Sequence, residues 1–311
     1  MEEVGCNICS SSFARLVFET KRNSRAFGIK RCLDCGLVYL SPRPTHEELR
    51  EYYSNVYNYN AFLKSADSIK QRCRVDLDLI RKYKNKGNLL EVGCMYGFLL
   101  EQAGDMGYEA YGVEISQKAA KYARKNLGLR VFSGQLENSS FQERFFDVVF
   151  LSHLIEHLED PNGSLKMISR IIKDDGVLII RCPNFASLMS KLTGKHWWWL
   201  APPEHLYHFT PKTIQIMLNN AGFSYLEIHT QRGDLGYLRY LTVGLVNLLP
   251  LPKKWKVNYR AIIDDKPQHL SQRILLAVYN FSSPLVSMIH KINMGEEMVI
   301  VARKKFQPND R

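Results

Sequence analysis

The sequence lacks any apolar run of the roughly 20 residues that a membrane-spanning helix requires. It does not open on an apolar secretory leader either, since its first residues are Met1, Glu2 and Glu3. Acidic residues are comparatively few, because 42 lysines and arginines outnumber 31 aspartates and glutamates and give a net charge of +11. These absences predict a cytoplasmic protein with a basic surface. Such a surface suits nucleic acid, a phosphorylated substrate or anionic lipid, and it is equally compatible with simple hydration.

The chain also lacks G-x-G-x-x-G, the fingerprint of dinucleotide-binding folds. In its place, Gly93 and Gly97 follow an apolar segment that carries Glu91, and the next apolar run ends at Glu114. Glycines let the backbone approach a ligand closely, and a carboxylate at a strand tip can accept hydrogen bonds from ribose hydroxyls. These features predict a nucleoside-bearing cofactor at the carboxyl ends of a parallel sheet.

Strand-like and helix-like segments alternate between residues 87 and 230. The helical pattern is clear where Leu165 and Ile168 recur at helical spacing, and Thr210 before Pro211 predicts the N-cap and start of another helix. Apolar or β-branched runs predict strands near residues 89–92, 108–114, 130–132, 145–151, 177–180, 225–229 and 298–302. Strands that alternate with helices in this way predict a doubly wound, mostly parallel α/β sheet.

These segments resemble the class I S-adenosylmethionine-dependent methyltransferases over residues 85–230 and the closing strand. The turn after the first core strand is similar to their E/D-x-G-x-G-x-G motif, with Met95 in place of the middle glycine. The runs FDVV, EHL-x-DP, DGVLII-x-x-PN and AGF are typical of the branch that acts on small molecules. The resemblance implies a methyltransferase with a seven-stranded, Rossmann-like sheet and S-adenosyl-L-methionine as its cofactor.

The same resemblance implies where the cofactor binds. Gly93 and Gly97 are expected to frame its methionine part, Glu114 to bind both ribose hydroxyls, and Ile115 to pack on the adenine. Because Met95 reshapes the turn, a scaffold that binds the cofactor without catalysis is an alternative. The complete set of cofactor-binding candidates is Glu91, Gly93, Gly97, Glu114, Ile115, Gln135 and Leu136.

Two C-x-x-C knuckles near the amino terminus predict a metal site. They are formed by Cys6, Cys9, Cys32 and Cys35, at a separation that suits a zinc ribbon. Four thiolates fit tetrahedral zinc, and a closed site of this kind is normally structural. The alternative is two unrelated pairs of buried or disulfide-bonded cysteines. The three other cysteines are expected to be small apolar core residues, namely Cys73, Cys94 and Cys182.

The cysteine segment and its sequel look like the zinc-binding module that precedes the methyltransferase domain in sugar C-methyltransferases. Similar modules occur on methyltransferases of surface-polysaccharide gene clusters. This implies a role on the substrate side, with the tyrosine-rich residues 52–59 either covering the pocket or packing a linker helix on the core. The expected division of the chain is a zinc ribbon at 1–45, a helical linker or lid at 46–86, the cofactor-binding core at 87–230, a helical insert at 231–295 and the closing strand of the core at 296–306.

One group of candidate catalytic residues follows the fourth core strand. Methyl transfer to a hydroxyl or an enolisable carbon needs a base, and histidine titrates near neutral pH. His153, Glu156 and His157 lie where acceptors are expected, although His157 is equally suited to bracing a helix. In ubiquinone-type O-methyltransferases the comparable E-x-x-E-H run is linked to a divalent cation. Here His153 stands in place of the first glutamate, which argues against metal dependence.

A second group, Glu204 and His205, follows three tryptophans at 197–199. The pair resembles the glutamate–histidine pair of the sugar C-methyltransferases, which implies that His205 is the base and that Glu204 orients it, with His153 in reserve. Aromatic residues beside polar groups are also what a sugar pocket uses. The alternative is that the tryptophans anchor a loop on the core and that His205 bonds to that loop.

The insert at 231–295 contains apolar helical patterns and a basic cluster, Lys253, Lys254 and Lys256, beside Trp255. It is expected to be a lid, a dimer contact or a surface that lies peripherally on the inner face of the membrane. The Asn/Asp-Pro-Pro-aromatic loop of base-methylating enzymes is absent, so no nucleic acid partner is expected.

Together these features favour a small-molecule or glycan acceptor, phosphorylated or lipid-linked. The leading expectation is O-methylation of a sugar in polysaccharide or lipid-linked glycan biosynthesis. C-methylation of a nucleotide-linked keto-sugar and methylation of RNA are the alternative reactions. The sequence predicts neither the acceptor itself nor the oligomeric state.

Overall fold

The computed structural model describes residues 1–22, 25–56, 65–231 and 291–305. Its strands, in chain order, are β1 (Ala14–Arg22), β2 (Arg25–Cys32), β3 (Val38–Leu40), β4 (Gly87–Val92), β5 (Tyr108–Glu114), β6 (Arg130–Ser133), β7 (Phe146–Ser152), β8 (Ile172–Pro183), β9 (Tyr207–His208), β10 (Phe223–Gln231) and β11 (Glu297–Lys304).

The α-helices of the described residues surround these strands. Three short 3₁₀ turns, at 136–138, 194–196 and 198–200, lie in the connections. The helices are α1 (His46–Val56), α2 (Ala66–Arg81), α3 (Phe98–Asp105), α4 (Gln117–Asn126), α5 (Pro161–Ile171), α6 (Leu188–Thr193) and α7 (Pro211–Asn220).

The larger sheet has seven strands in the order β10-β11-β8-β7-β4-β5-β6. The pairs from β6 to β8 are all parallel, and only β11 runs antiparallel to its two neighbours. Apolar runs in the central strands, such as Val148–Leu151 and Val177–Ile180, are fully buried, as expected for a parallel sheet covered by helices on both faces. The predicted fold class is therefore confirmed.

Polar residues at the helix starts explain where these connections turn. The side chain of Ser116 accepts a hydrogen bond from the Ala119 amide at the start of α4. Thr210 forms a capping box with Thr213 at the start of α7, as the sequence predicted for Thr210. One boundary differs from the prediction, because β8 begins directly at Ile172 instead of near Val177.

The smaller sheet joins the amino-terminal segment to the core. Its order is β1-β2-β3-β9, and β9 comes from the connection that follows β8. Val38 pairs with His208, Tyr39 pairs with Tyr207, and the Leu40 amide donates to the Leu206 carbonyl at 2.9 Å. The amino-terminal module is thus completed by a strand of the core.

Residues 232–290, which make up most of the predicted insert, lie outside the described residues, as do Tyr57 and Tyr59. Nothing about the predicted lid, dimer contact or membrane surface is therefore tested. Within the described ranges, none of the helices has the length and apolarity that would let it cross a bilayer.

Candidate functional site

The loop between β4 and α3 adopts the tight conformation expected of a cofactor-binding turn. Gly93, Met95 and Gly97 all have positive φ angles, of 78°, 49° and 83°. A Cβ atom at Gly97 would lie 2.5 Å from a Leu129 methyl and 3.2 Å from the Ala123 Cβ, so the close approach of α4 requires glycine there. Met95, at the place of the motif's middle glycine, keeps the left-handed backbone that glycine adopts readily.

Glu114 holds this loop from the end of β5. Its carboxylate is 3% exposed and accepts hydrogen bonds from the Met95 amide at 2.8 Å and the Ser116 amide at 2.7 Å. Burial raises the pKa of Glu114, and the backbone amides oppose that rise. Each carboxylate oxygen has two lone pairs, so these bonds leave acceptor capacity for a ribose hydroxyl.

Glu91 lies beneath the same loop. It is buried, and one of its carboxylate oxygens has no hydrogen-bond partner among the described residues. Burial, together with Asp76 and Glu114, raises its pKa well above the ordinary value. A buried polar atom without a partner calls for a ligand or water, and the cationic methionine end of S-adenosylmethionine fits that requirement.

The remaining cofactor candidates lie beside Glu114. Ile115, the residue after β5, is 43% exposed, which leaves an apolar side chain available to a planar base. The Gly134 amide donates to the Glu114 carbonyl at 2.9 Å and so brings the turn of Gln135 and Leu136 to the same edge. The chain therefore has an acidic, an apolar and a glycine-rich element where the nucleoside cofactor was predicted.

The four amino-terminal cysteines converge as predicted. The Cys6 and Cys35 sulfurs are 3.3 Å apart, the Cys9 and Cys32 sulfurs are 3.5 Å apart, and all four sulfurs lie within 4.8 Å of one another. Tetrahedral zinc with bonds of about 2.3 Å requires sulfur separations of about 3.8 Å. All seven cysteines are free thiols, so the disulfide alternative is not what the structure shows. The donor set fits one structural zinc ion.

The cysteine module contacts both loops that carry candidate catalytic residues. Arg43 donates to the Glu159 carbonyl at 2.8 Å, and His46, the first residue of α1, pairs with the Glu159 carboxylate at 2.8 Å. Arg22, at the end of β1, donates to the Pro202 carbonyl at 3.0 Å and pairs with Glu204 at 3.2 Å. The module is therefore bound to the loop that contains Glu159 and to the loop that contains Pro202 and Glu204.

His205 is buried within the site. Its Nδ1 atom lies 2.7 Å from the Trp199 carbonyl oxygen, and its ring meets that of His157 edge-on at 4.6 Å. Burial and the neighbouring His157 lower the pKa of His205 to about 3, so the ring is neutral at neutral pH. Because a carbonyl only accepts, Nδ1 carries the proton and Nε2 carries the free lone pair.

Glu204 does not contact His205 in the way that the sequence suggested. Its carboxylate accepts a short hydrogen bond from the Tyr52 hydroxyl and pairs with Arg22. The carboxylate near His205 belongs instead to Glu156, since ligand atoms of Glu156, His157 and His205 lie within 4.8 Å of one another. Glu204 therefore links the loop to the amino-terminal module.

Glu156 is the most unusual group of the site. It is 1% exposed, and neither carboxylate oxygen has a hydrogen-bond partner among the described residues. Burial would raise its pKa, but His153, His157 and His205 outweigh burial and lower the pKa to about 2. Glu156, His157 and His205 together could hold a proton in transit or a divalent cation.

His153 also faces Glu156. Its Nε2 atom is 2.7 Å from a Glu297 oxygen, and its Nδ1 atom is 3.5 Å from a Glu156 oxygen. Burial would lower its pKa, but the two carboxylates outweigh burial and raise the pKa to about 10. The ring is therefore an imidazolium at neutral pH, unlike the neutral ring of His205.

Several residues of the site were not found from the sequence. Glu297 opens β11, and because β11 is antiparallel its first residue reaches the edge where the parallel strands end. Arg181 pairs with Asp76 at 2.7 Å next to it. A polar residue at the start of the closing strand was the available signal. Tyr53, from the tyrosine-rich segment, bonds to His157 Nδ1 at 3.1 Å.

Comparison with known proteins gives consistent matches. A family model described as a methyltransferase domain matches residues 59–228. A ubiquinone biosynthesis O-methyltransferase of Coxiella burnetii is 25% identical over 187 residues, which cover 56% of this chain and 75% of that protein.

Two solved structures share the fold. A SAM-dependent methyltransferase from Archaeoglobus fulgidus superposes with a TM-score of 0.51 and 21% identity, over 79% of this chain and all of that one (100%). A chain of the complex between the Haloferax volcanii Trm112 methyltransferase activator and a methyltransferase gives a TM-score of 0.53 at 13% identity, over 85% of this chain and 100% of that chain.

Proposed function

Since this chain belongs to the family of methyltransferase domains and is an S-adenosylmethionine-dependent enzyme, we propose that it methylates a hydroxyl group of a sugar-containing acceptor, with His205 as general base. The observation that carries this proposal is the hydrogen bond between His205 Nδ1 and the Trp199 carbonyl oxygen. It fixes the ring as the tautomer whose Nε2 can take a proton. S-adenosylmethionine, when bound, supplies an electrophilic methyl group on sulfur, which keeps the electron pair of the broken carbon–sulfur bond.

The chain's own residues account for the proton. His205 Nε2 accepts the hydroxyl proton as the acceptor oxygen forms its bond to the methyl carbon. The resulting imidazolium is stabilised by the ionised carboxylate of Glu156, since an opposite charge at short range favours the charged form. The proton then leaves to solvent, which restores the neutral ring. Holding donor and acceptor in one orientation supplies much of the remaining rate.

Two observations favour an oxygen atom on a sugar as the acceptor. The curated relative from Coxiella burnetii is named as an O-methyltransferase, and a neutral imidazole suits the activation of a hydroxyl. Trp198, between the buried Trp197 and the stacked Trp199, is 60% exposed. An exposed indole next in sequence to Trp199, whose carbonyl oxygen binds His205, offers a face for the C–H groups of a sugar ring.

The test uses S-adenosylmethionine with a ¹³C-labelled methyl group and a panel of nucleotide sugars and lipid-linked oligosaccharides. Carbon NMR distinguishes a methyl group on oxygen from one on carbon. An O-methylated sugar supports the proposal, and a C-methylated keto-sugar replaces it with the alternative reaction. If the protein binds S-adenosylmethionine but labels no member of the panel, while methylating RNA, the acceptor class is wrong.

The acceptor's attachment is a separate part of the proposal. If the sugar is lipid-linked, the basic cluster at residues 253–256 and Trp255 are the sequence features that would hold the enzyme at an anionic membrane surface. Because these residues lie outside the described ranges, this part depends on sequence alone.

A further inference from the structure

We propose that His153 is a positioning residue that acts on His205 through Trp199, with Glu297 fixing the ring of His153. This inference rests on the proposed function, because it concerns the orientation of the proposed base. It gives His153 a structural role in the reaction in place of the role of reserve base.

The first link joins His153 to the closing strand. The His153 Nε2 atom lies 2.7 Å from a Glu297 oxygen, and Glu297 is 6% exposed at the start of β11. The other Glu297 oxygen is 4.0 Å from the Arg181 Nε atom, and Arg181 is itself paired with Asp76 at 2.7 Å. The carboxylate that holds His153 is therefore fixed by a buried network of charges.

The second link is a pair of ring contacts on Trp199. The His153 ring is stacked on Trp199 at 5.1 Å with an interplanar angle of 6°. The His205 ring is stacked on the same indole at 5.9 Å and 14°. Stacked aromatic rings restrain one another's orientation, so His153 restrains the residue whose carbonyl oxygen binds His205 Nδ1.

The backbone of His153 supports this role. Its φ angle is 49°, in the left-handed region, which histidine, asparagine and aspartate adopt more often than other non-glycine residues do. The His153 amide donates to the Arg181 carbonyl at 2.9 Å, which keeps the chain in this conformation. The direction of the His153 side chain is therefore set by the backbone as well as by Glu297.

The ring nitrogens of His153 are both directed at protein carboxylates. Nε2 is paired with Glu297, and Nδ1 faces Glu156. Neither nitrogen is placed to take a proton from an acceptor. What His153 offers the reaction is therefore a fixed ring, whereas the Nε2 atom of His205 has a free lone pair because its Nδ1 atom donates to the Trp199 carbonyl oxygen.

The test compares His153→Asn and Glu297→Gln with the wild type. Asparagine accepts a positive φ angle, so His153→Asn removes the stacked ring without adding backbone strain. We expect each variant to lower turnover about 10²-fold, the scale for a small misplacement of a catalytic group, with unchanged affinity for S-adenosylmethionine. The double variant should be no worse than either single variant, because the two residues act in series.

His46→Asn is the matched control. His46 also pairs with a glutamate, Glu159, at 2.8 Å, but its side chain is 54% exposed. The His46→Asn enzyme should have the same turnover and the same spectra as the wild type. A fully additive double variant, or a His153→Asn enzyme with wild-type turnover, would overturn the proposal.

A spectroscopic measurement separates this proposal from the proposed reaction, since it needs no acceptor. Near-ultraviolet circular dichroism reports the stacked indole of Trp199, and the Trp199→Phe variant identifies its band. The band should change in His153→Asn and Glu297→Gln and persist in His46→Asn. An unchanged band in both site variants contradicts the positioning role. If the band changes as expected but a His205→Ala enzyme is fully active, the stacking stands and the proposed base is wrong, so His153 has no base to position.

Discussion

His205 Nδ1 lies 2.7 Å from the carbonyl oxygen of Trp199, a hydrogen bond that fixes which ring nitrogen can accept a proton. Replacing His205 by alanine should lower turnover by roughly 10²–10⁴-fold, the usual contribution of a general base. Affinity for S-adenosylmethionine should stay nearly constant, because the cofactor is predicted to bind Glu114 and the glycine turn. Turnover is measured by transfer of labelled methyl, and affinity by calorimetry.

The matched control for that variant is His229→Ala. His229 lies on the outer strand β10, half exposed and next to Glu227, so this enzyme should keep wild-type turnover. A His205→Ala enzyme with full activity would move the base to another residue.

Glu114 should be required for cofactor affinity. Its loss removes hydrogen bonds from a carboxylate, each of which is worth about 1.5–3 kcal/mol, so Glu114→Ala should bind S-adenosylmethionine at least that much more weakly. Glu109→Ala, on the same strand but exposed and paired with Arg130, is the control. Calorimetry with unchanged affinity in Glu114→Ala would exclude Glu114 from the site.

The cysteine module should contain about one zinc ion per chain. Metal analysis of purified protein should find it, and the Cys32→Ser/Cys35→Ser variant should lose it. Cys73→Ser, at a buried cysteine of α2 outside the cluster, should retain the metal. Metal-free wild-type protein whose four thiols react freely would contradict the assignment.

The combined contribution of the buried histidines to the free energy of unfolding should be largest near pH 6.5. The pKa of His153 is raised from 6.5 to about 10, so its stabilising contribution is complete below pH 6.5 and is lost as pH rises toward 10. The pKa values of His205 and His208 are lowered to about 3, so their contribution is lost as pH falls from 6.5 toward 3. Asp76, with its pKa raised to about 6, opposes the acid-side loss between pH 3.8 and 6.

Urea unfolding of the wild type and His153→Asn at pH 6.5 to 10 tests the alkaline side. When the folded state binds one proton more than the unfolded state, the free energy of unfolding falls by about 1.4 kcal/mol for each pH unit. His153→Asn should have a slope that is smaller by this amount, and His46→Asn should keep the wild-type slope. Equal slopes in the wild type and His153→Asn would show that His153 is not the titrating group.

The basic cluster at residues 253–256 should give reversible attachment to anionic membranes. Each basic residue near such a surface contributes about 1 kcal/mol, and salt screens the attraction. Flotation with anionic liposomes should recover the protein at low salt, and replacing Lys253, Lys254 and Lys256 by glutamate should prevent recovery. If the wild-type protein does not float with the liposomes at low salt, the net positive charge of the chain requires another explanation.

The local parts of this molecule were predictable from its sequence. Strand and helix periodicity located the seven strands of the core, and the Thr210-Pro211 pair located the start of α7. The spacing of Cys6, Cys9, Cys32 and Cys35 predicted their convergence. Each of these features depends on residues close together in the chain or on a strong compositional pattern.

The partners of the site residues were not predictable, because they are set by contacts between distant segments. His153 meets Glu297, 144 positions later, only because the antiparallel strand β11 begins beside it. Glu204 is adjacent to His205 in sequence, yet its carboxylate is drawn to Arg22 and Tyr52. The two residues of β9 carry no strand signal of their own and pair because β3 presents an edge to them.

That pairing of β3 with β9 limits how such an enzyme can be recombined. The cysteine module cannot be exchanged by itself, because Tyr207 and His208 form the fourth strand of its sheet. A chimaera that takes residues 1–45 from one homologue and the remainder from another would interrupt the register opposite Val38 and Tyr39. We expect functional exchange only when both segments are transferred together, so that the module and the acceptor loop are inherited as a single unit.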